Sequence, residues 1–162
     1  MPTPKELHEE GVCRRFLDAY NKANGTGFTF QGLQQPPAPD GLCSGGLNLE
    51  IVTAYYDQAA AKDQWDLALG KAQAPLVSGL IAEPDQVGSD AIDSSISSKA
   101  HKKYVYQGKV FLVVDIRAPL QEWVDIEGAY LSQPRNLPAG PFDEVWLLLG
   151  DSDGDHVARV IP

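Results

Sequence analysis

Two acids with nine residues between them set the chemical question for this chain. Asp40 follows a proline in QQPPAPDGL, and Glu50 stands inside the apolar, alternating run LNLEIVTAYY, residues 47–56. In a strand, successive side chains leave on opposite faces, so Leu47, Leu49, Ile51 and Thr53 share one side and Asn48, Glu50, Val52 and Ala54 the other. A carboxylate on that small, apolar face needs an exposed edge, an ionic partner or a bound cation. Partners are available farther along, in IDSSISSKAHKKY. With Ile92 as zero and 100° per residue, Ile96 falls at about 40°, Lys99 at about -20° and Lys103 at about 20°. Both lysines therefore lie in the isoleucine stripe that a packed helix turns inward. Snorkelling, with the stem packed and the ammonium in water, accounts for one such lysine. Two of them, after a strand with an inward carboxylate, point to a shared ionic site.

The other residue types able to do chemistry are less well arranged. Asp151, Asp153 and Asp155 in DSDGD begin like a calcium loop, but the twelfth position, where such a loop needs Glu, is Pro162. A polar hairpin turn is the better reading. His8, His101 and His156 have neither metal-ligand spacing nor a readable serine or cysteine partner, and they receive no role. Cys13 and Cys43 fall in different elements without metal spacing and read as reduced, partly buried thiols. The chain contains no glycine-rich phosphate loop and no nucleophile elbow.

The elements that must position these residues are well marked. Thr3 caps a first helix, with Pro4 at its first position and Glu6 completing a capping box. Cys13, Phe16, Leu17 and Tyr20 follow at helical spacing, and Asn24-Gly25 ends the run. FTFQGL alternates like a strand and is broken by the prolines of QQPPAP. Asp40 to Leu42 reads as a short strand paired, through a Ser44-Gly45-Gly46 turn, with the strand that carries Glu50. Asp57 caps a helix to roughly Ala74, stopped by Pro75. EPDQVGSD reads as a loop, after which Ser89 or Asp90 begins a helix reaching about Tyr104. VFLVVDI, 110–116, has the unbroken apolar character of a strand covered on both faces. A short helix follows Pro119, and VWLLL (145–149) and VARVI (157–161) form a terminal hairpin or strand pair. The order α-β-β-β-α-α-β-α-β-β predicts an α/β fold, a mixed sheet flanked by helices in a single domain over 1–162.

Composition narrows the function classes. At 162 residues, 43% hydrophobic and 22% charged, the chain suits one globular domain. MPTPKELHEE has no apolar leader core, and no run approaches the roughly 18 apolar residues of a membrane helix. The expectation is a soluble, cytoplasmic protein with no membrane association. Lys and Arg total 13 against 22 Asp and Glu, a net charge of -9, which argues against nucleic-acid binding by bulk electrostatics. That charge suits a basic protein partner or mimicry of nucleic acid; a homodimer stands beside these as a further partner reading that the charge does not supply. One cationic strip survives in KAHKKYVYQGK, where Lys99, Lys102, Lys103 and Lys109 stand without an acid. On charge alone it reads as a solvated helix face.

Pro39-Asp40, nine intervening residues and then Glu50 on the next strand, within a helix-strand-strand-strand-helix-strand order, resemble the PD-(D/E)XK nuclease superfamily with its restriction-endonuclease-like fold. The resemblance covers about residues 3–116, an α-β-β-β-α-β core, and leaves 117–162 as a C-terminal β extension. The family motif places lysine two residues after the second acid, and that position here is Val52. Some branches of the superfamily supply the lysine from a neighbouring helix, which Lys99 or Lys103 would suit. The resemblance implies a nuclease hydrolysing phosphodiester bonds in DNA, with Asp40, Glu50 and the Ile51 carbonyl holding Mg²⁺. The metal would lower the pKa of a bound water, while Lys99 or Lys103 would orient it and offset charge in the transition state. An acid of the first helix joins the metal site in some members, and Glu10 is the candidate named for that place. The missing strand lysine equally suits a catalytically inactive protein of the same fold that acts through protein contacts.

Overall fold

A computed structural model of the chain describes residues 1–55, 84–117, 123–133 and 136–161. Helix α1, Pro4–Asn24, begins at the expected capping box: the Glu6 backbone N–H donates to Thr3 Oγ1 at 3.2 Å, and the Thr3 N–H donates to Glu6 Oε2 at 2.6 Å. Gly25 ends it at φ +66°, a left-handed conformation that a Cβ would strain. Strands β1 (Phe30–Leu33), β2 (Gly41–Cys43) and β3 (Leu47–Tyr55) follow, with a helical turn at Ser44–Gly46 before β3. Then come α2 (Pro84–Ala100), β4 (Lys109–Arg117) and α3 (Trp123–Ile126), which widens into a π turn over Glu127–Leu131. Strands β5 (Glu144–Asp151) and β6 (Gly154–Ile161) form the expected terminal hairpin.

The six strands make one mixed sheet in chain order. Strand β3 runs parallel to β4 and β4 parallel to β5, while the β1–β2, β2–β3 and β5–β6 pairs are antiparallel. The α/β class with a mixed sheet is thus the observed one. Strand β4 is buried from Val110 to Ile116, as its unbroken apolar run implies. Its alternating side chains feed two cores: Val110, Leu112 and Val114 meet Ile92 and Ile96 of α2, while Phe111 and Val113 meet Val12, Cys13, Phe16 and Leu17 of α1. Burial stabilises each large apolar side chain by about 1.5–3 kcal/mol, so these stripes fix where the two helices cross the sheet. Tyr20 strengthens the α1 side, its ring 5.9 Å from Phe111 and 5.0 Å from Trp146. Cys13 and Cys43 are unpaired and fully buried here.

Three boundaries differ from the sequence reading. EPDQVGSD is helical from Pro84 onward rather than a loop, because the fixed φ and missing N–H of proline suit a first turn. That helix ends at Ala100 rather than near Tyr104. Lys102 N–H returns to the Lys99 carbonyl at 3.1 Å, and Val105 N–H donates to the Pro37 carbonyl at 2.9 Å, drawing the chain off the helix axis. Gly140, at φ +56°, lies against the Ala100 backbone so closely that a Cβ would collide with it. Lys103 is therefore not on the helix stripe. Strand β2 starts at Gly41, one residue after Asp40. The helix expected over Asp57–Ala74 lies outside the described residues, as do 118–122 of the segment after Pro119. Among the described residues, no helix is long and apolar enough to cross a membrane.

Candidate functional site

The β2–β3 register sets Gly41 opposite Leu49 and Leu42 opposite Asn48. Continued by one pair, it sets Asp40 opposite Glu50, and opposed residues of antiparallel strands share a face. The two acids are indeed neighbours. Asp40 N–H donates to Glu50 Oε2 at 3.2 Å, and Ile51 N–H donates to Asp40 Oδ2 at 2.9 Å. In an extended strand, N–H and C=O of one residue leave on the same side, so the Ile51 carbonyl also faces the Asp40 edge.

Glu50 is 4% exposed. Its Oε1 accepts from Lys99 Nζ at 2.7 Å and from the Tyr104 hydroxyl at 3.1 Å. Lys99 thus reaches the acid from α2, in the inward stripe with Ile92 and Ile96, as its angle implied. Lys103 arrives by another route, from the extended segment after α2. Both lysines, with Lys5, Lys102, Tyr104 and the two acids, line a cleft of about 330 Å³. One wall is the Pro36–Ala38 loop, which the Val105 N–H to Pro37 bond ties to the opposite wall. Asn48 holds the base of that wall, its Nδ2 donating to the carbonyls of Gln107 at 2.8 Å and Lys109 at 3.0 Å. Val52 packs partly buried against the α2-side core, so β3 itself presents no lysine.

The electrostatics mark the pair as strained. Burial, then the charge of Glu50, pushes the Asp40 carboxyl up to about 6, against the opposing Ile51 N–H bond. Burial and Glu50 likewise push the Tyr104 phenol up, keeping it a donor. Glu9, not Glu10, is the acid of α1 that raises the Asp40 carboxyl, and it lines an adjoining pocket with Asp40 and Lys5. Glu10 instead pairs along the helix with Arg14 at 2.9 Å. The signal was readable: one helical turn back from buried Cys13 along its stripe is Glu9.

Among the described residues, no three His, Cys, Asp or Glu side chains gather as a metal-binding set. The oxygen donors available are the Asp40 and Glu50 carboxylates and the Ile51 carbonyl, a hard set that suits Mg²⁺ completed by waters. Asp40 Oδ1 accepts no hydrogen bond among the described residues, which leaves it free for such a cation. The other sequence candidates are structural. Asp151 accepts from the backbone N–H of Trp123 and of Asp153 and pairs with His156 Nε2, each at 2.9 Å, and the Trp123 bond first among these holds its carboxyl down at about 2. His156 stacks on Trp123 with the ring planes 6° apart, so the DSDGD turn is a joint between hairpin and α3.

A second buried acid went unremarked in the sequence. Asp115, on the α1 face of β4, has no exposure and gathers Arg117 Nε at 2.9 Å, Arg15 at 3.6 Å and His8 Nε2 at 3.7 Å. His8 also meets Thr53 Oγ1 at 3.2 Å, and Arg15 is held by Asp155 at 2.7 Å. No family model, curated protein or solved structure matches the chain, so the geometry of these residues is what carries a functional reading.

Proposed function

We propose that the chain is a Mg²⁺-dependent phosphodiester hydrolase with a restriction-endonuclease-like core, acting on DNA. The observation that carries this is the opposition of Asp40, the residue just before β2, and Glu50 on antiparallel β3, joined by the Asp40 N–H to Glu50 bond, with Lys99 of α2 on Glu50, all in one cleft. The order α1-β1-β2-β3-α2-β4 along the described residues supports it. Asp40, Glu50 and the Ile51 carbonyl would hold the cation, which would supply a Lewis acid and a water of lowered pKa. The protein's own groups do the rest. Tyr104 fixes the Glu50 carboxylate, Lys99 offers an ammonium to the attacking water and to charge on the phosphoryl oxygens, and Lys102 and Lys103 draw the phosphate backbone to the cleft. Lys99 takes the role of the lysine that Val52 displaces from the strand.

The test is cleavage of supercoiled and branched DNA with Mg²⁺ or Mn²⁺. Asp40→Ala and Glu50→Ala, each checked for folding by circular dichroism, are expected to lose at least about 10³-fold, or roughly 4 kcal/mol of barrier stabilisation. Unchanged cleavage in both would overturn the assignment. The Lys99–Glu50 ion pair, which neutralises Glu50 without a metal, favours a second reading: an inactive protein of this fold that binds a partner through its acidic surface. Absence of Mn²⁺ binding together with a stable protein partner in pull-down would select it.

A further inference from the structure

We propose that Lys99 is a displaceable counter-ion seated where the divalent cation must bind, so that metal and phosphate load the cleft together. This rests on the nuclease reading of the same site. The Glu50 side chain is 5% exposed, and its acceptors are largely used: Oε1 takes Lys99 and Tyr104, and Oε2 takes the Asp40 N–H. The hydroxyl and the backbone N–H are neutral and can stay while the carboxylate also meets a cation. The ammonium cannot. A divalent ion and an ammonium on the same carboxylate repel at contact distance in a partly desolvated site. Of the groups on Glu50, Lys99 is also the one built to leave, with a flexible four-carbon stem, 17% exposed, at the last turn of α2.

Its destination follows from the lining. Among the described residues, the charged groups of the cleft apart from Asp40, Glu50 and Lys99 itself are Lys5, Lys102 and Lys103, so a released Lys99 finds no spare anion there among them. A phosphate entering the cleft supplies one. Phosphate therefore stabilises the state with Lys99 released, and that is the state in which Glu50 can ligate metal. Linkage makes the effect reciprocal: each ligand tightens the other by the same factor.

The experiment measures Mn²⁺ binding through loss of the free-ion paramagnetic resonance signal, with and without thymidine 5′-monophosphate, after subtracting the nucleotide's own Mn²⁺ affinity. Lys99→Met is expected to bind Mn²⁺ about tenfold more tightly than wild type. The nucleotide is expected to tighten Mn²⁺ binding about fivefold or more in wild type and to lose most of that effect in the variant. Lys99→Gln, which keeps a neutral donor to Glu50, carries the same expectation if Lys99→Met fails to fold. Equal Mn²⁺ affinity in wild type and both variants, abolished by Asp40→Asn combined with Glu50→Gln, would overturn the inference and leave the metal site standing. No Mn²⁺ binding by any of them overturns the nuclease reading along with it.

Discussion

Glu50 and Asp115 are buried carboxylates on the adjacent parallel strands β3 and β4, and they live in opposite circumstances. Glu50 faces a second acid across β2–β3, has one ammonium and one phenol for company, and opens on a cleft. Asp115 has no acid opposite it; two guanidiniums and an imidazole close around it. Even so, its Oδ1 accepts no hydrogen bond among the described residues, because Arg15 stops at 3.6 Å and spends its short bonds on Asp155. In one region a single ammonium touches the acid pair while the other lysines stay along an open cleft, and in the other two guanidiniums and an imidazole converge on one acid. A carboxylate pair that opens on a cleft is accessible to a ligand; a carboxylate enclosed by arginine forks is a clamp holding α1 and the end of β4 together.

Matched neutral substitutions give the largest contrast. Asp115→Asn leaves two guanidiniums without their shared counter-charge. Breaking a fully buried pair costs about 3–5 kcal/mol, and because Arg15 and Arg117 are 33% and 45% exposed, the expectation here is nearer to about 2 kcal/mol by urea unfolding. Glu50→Gln keeps one amide oxygen for Tyr104 and Lys99, gives up the acceptor for the Asp40 N–H and the charge opposite Lys99, and relieves the repulsion on Asp40, so losses and gain offset and the net cost should stay near about 1 kcal/mol. Activity should rank the other way, abolished in Glu50→Gln and retained per folded molecule in Asp115→Asn. A Glu50 variant less stable than the Asp115 variant would erase the distinction between site and clamp.

The strands and α1 were legible because their signals are local. Alternation, the capping box and the glycine stop each act within a few residues. The Asp40–Glu50 opposition was also legible, since a tight Ser-Gly-Gly turn fixes register. Tyr104 and Glu9 were not assigned to the site, for different reasons. Tyr104 was absorbed into a helix that ends four residues earlier, where a hydrogen bond to Pro37, 68 positions upstream, turns the chain; no local pattern encodes that. Glu9 lay on the readable stripe of Cys13 and Phe16 and was passed over for its neighbour. Asp115 was visible as one acid in a run expected to be covered on both faces. What the sequence withheld was its α1 partners, Arg15 and His8, which lie 100 and 107 positions before it, and Asp155 of β6, 40 positions beyond it, which holds Arg15.

A smaller effect separates the two acids by pH. The Asp40 carboxyl titrates at about 6 in the folded protein because of burial and Glu50, against 3.8 for the ordinary group. Between those values the folded state holds the proton longer than the unfolded chain, so stability falls as pH rises through this window. Asp40→Asn removes that loss. In metal-free buffer above pH 7 the variant is expected to be more stable than wild type by on the order of 1–2 kcal/mol, after allowance for partial exposure, and to equal it near pH 4. Added Mg²⁺ should reverse the order by stabilising wild type. If the variant gained nothing above pH 7, Asp40 would not be held in the strained proximity on which a metal site depends.

The smallest effect concerns where each region's positive charge can act. Lys102 and Lys103 are exposed at the cleft and make no ion pair among the described residues, so their counter-ions are solvent salt. On the nuclease reading they meet DNA phosphates and release those ions. The double variant Lys102→Ala/Lys103→Ala is then expected to weaken DNA binding and to reduce the slope of log K against log salt by about 2, one for each phosphate contact. Arg117 is also an exposed cation but is committed to Asp115 by its 2.9 Å bond. Arg117→Ala should leave that slope unchanged while lowering stability. Fluorescence anisotropy of a labelled duplex from about 50 to 200 mM salt measures both. Equal slope changes in the two variants would mean that DNA, if bound, reads the clamp as readily as the cleft, and the assignment of the α2 face as the working side would fall.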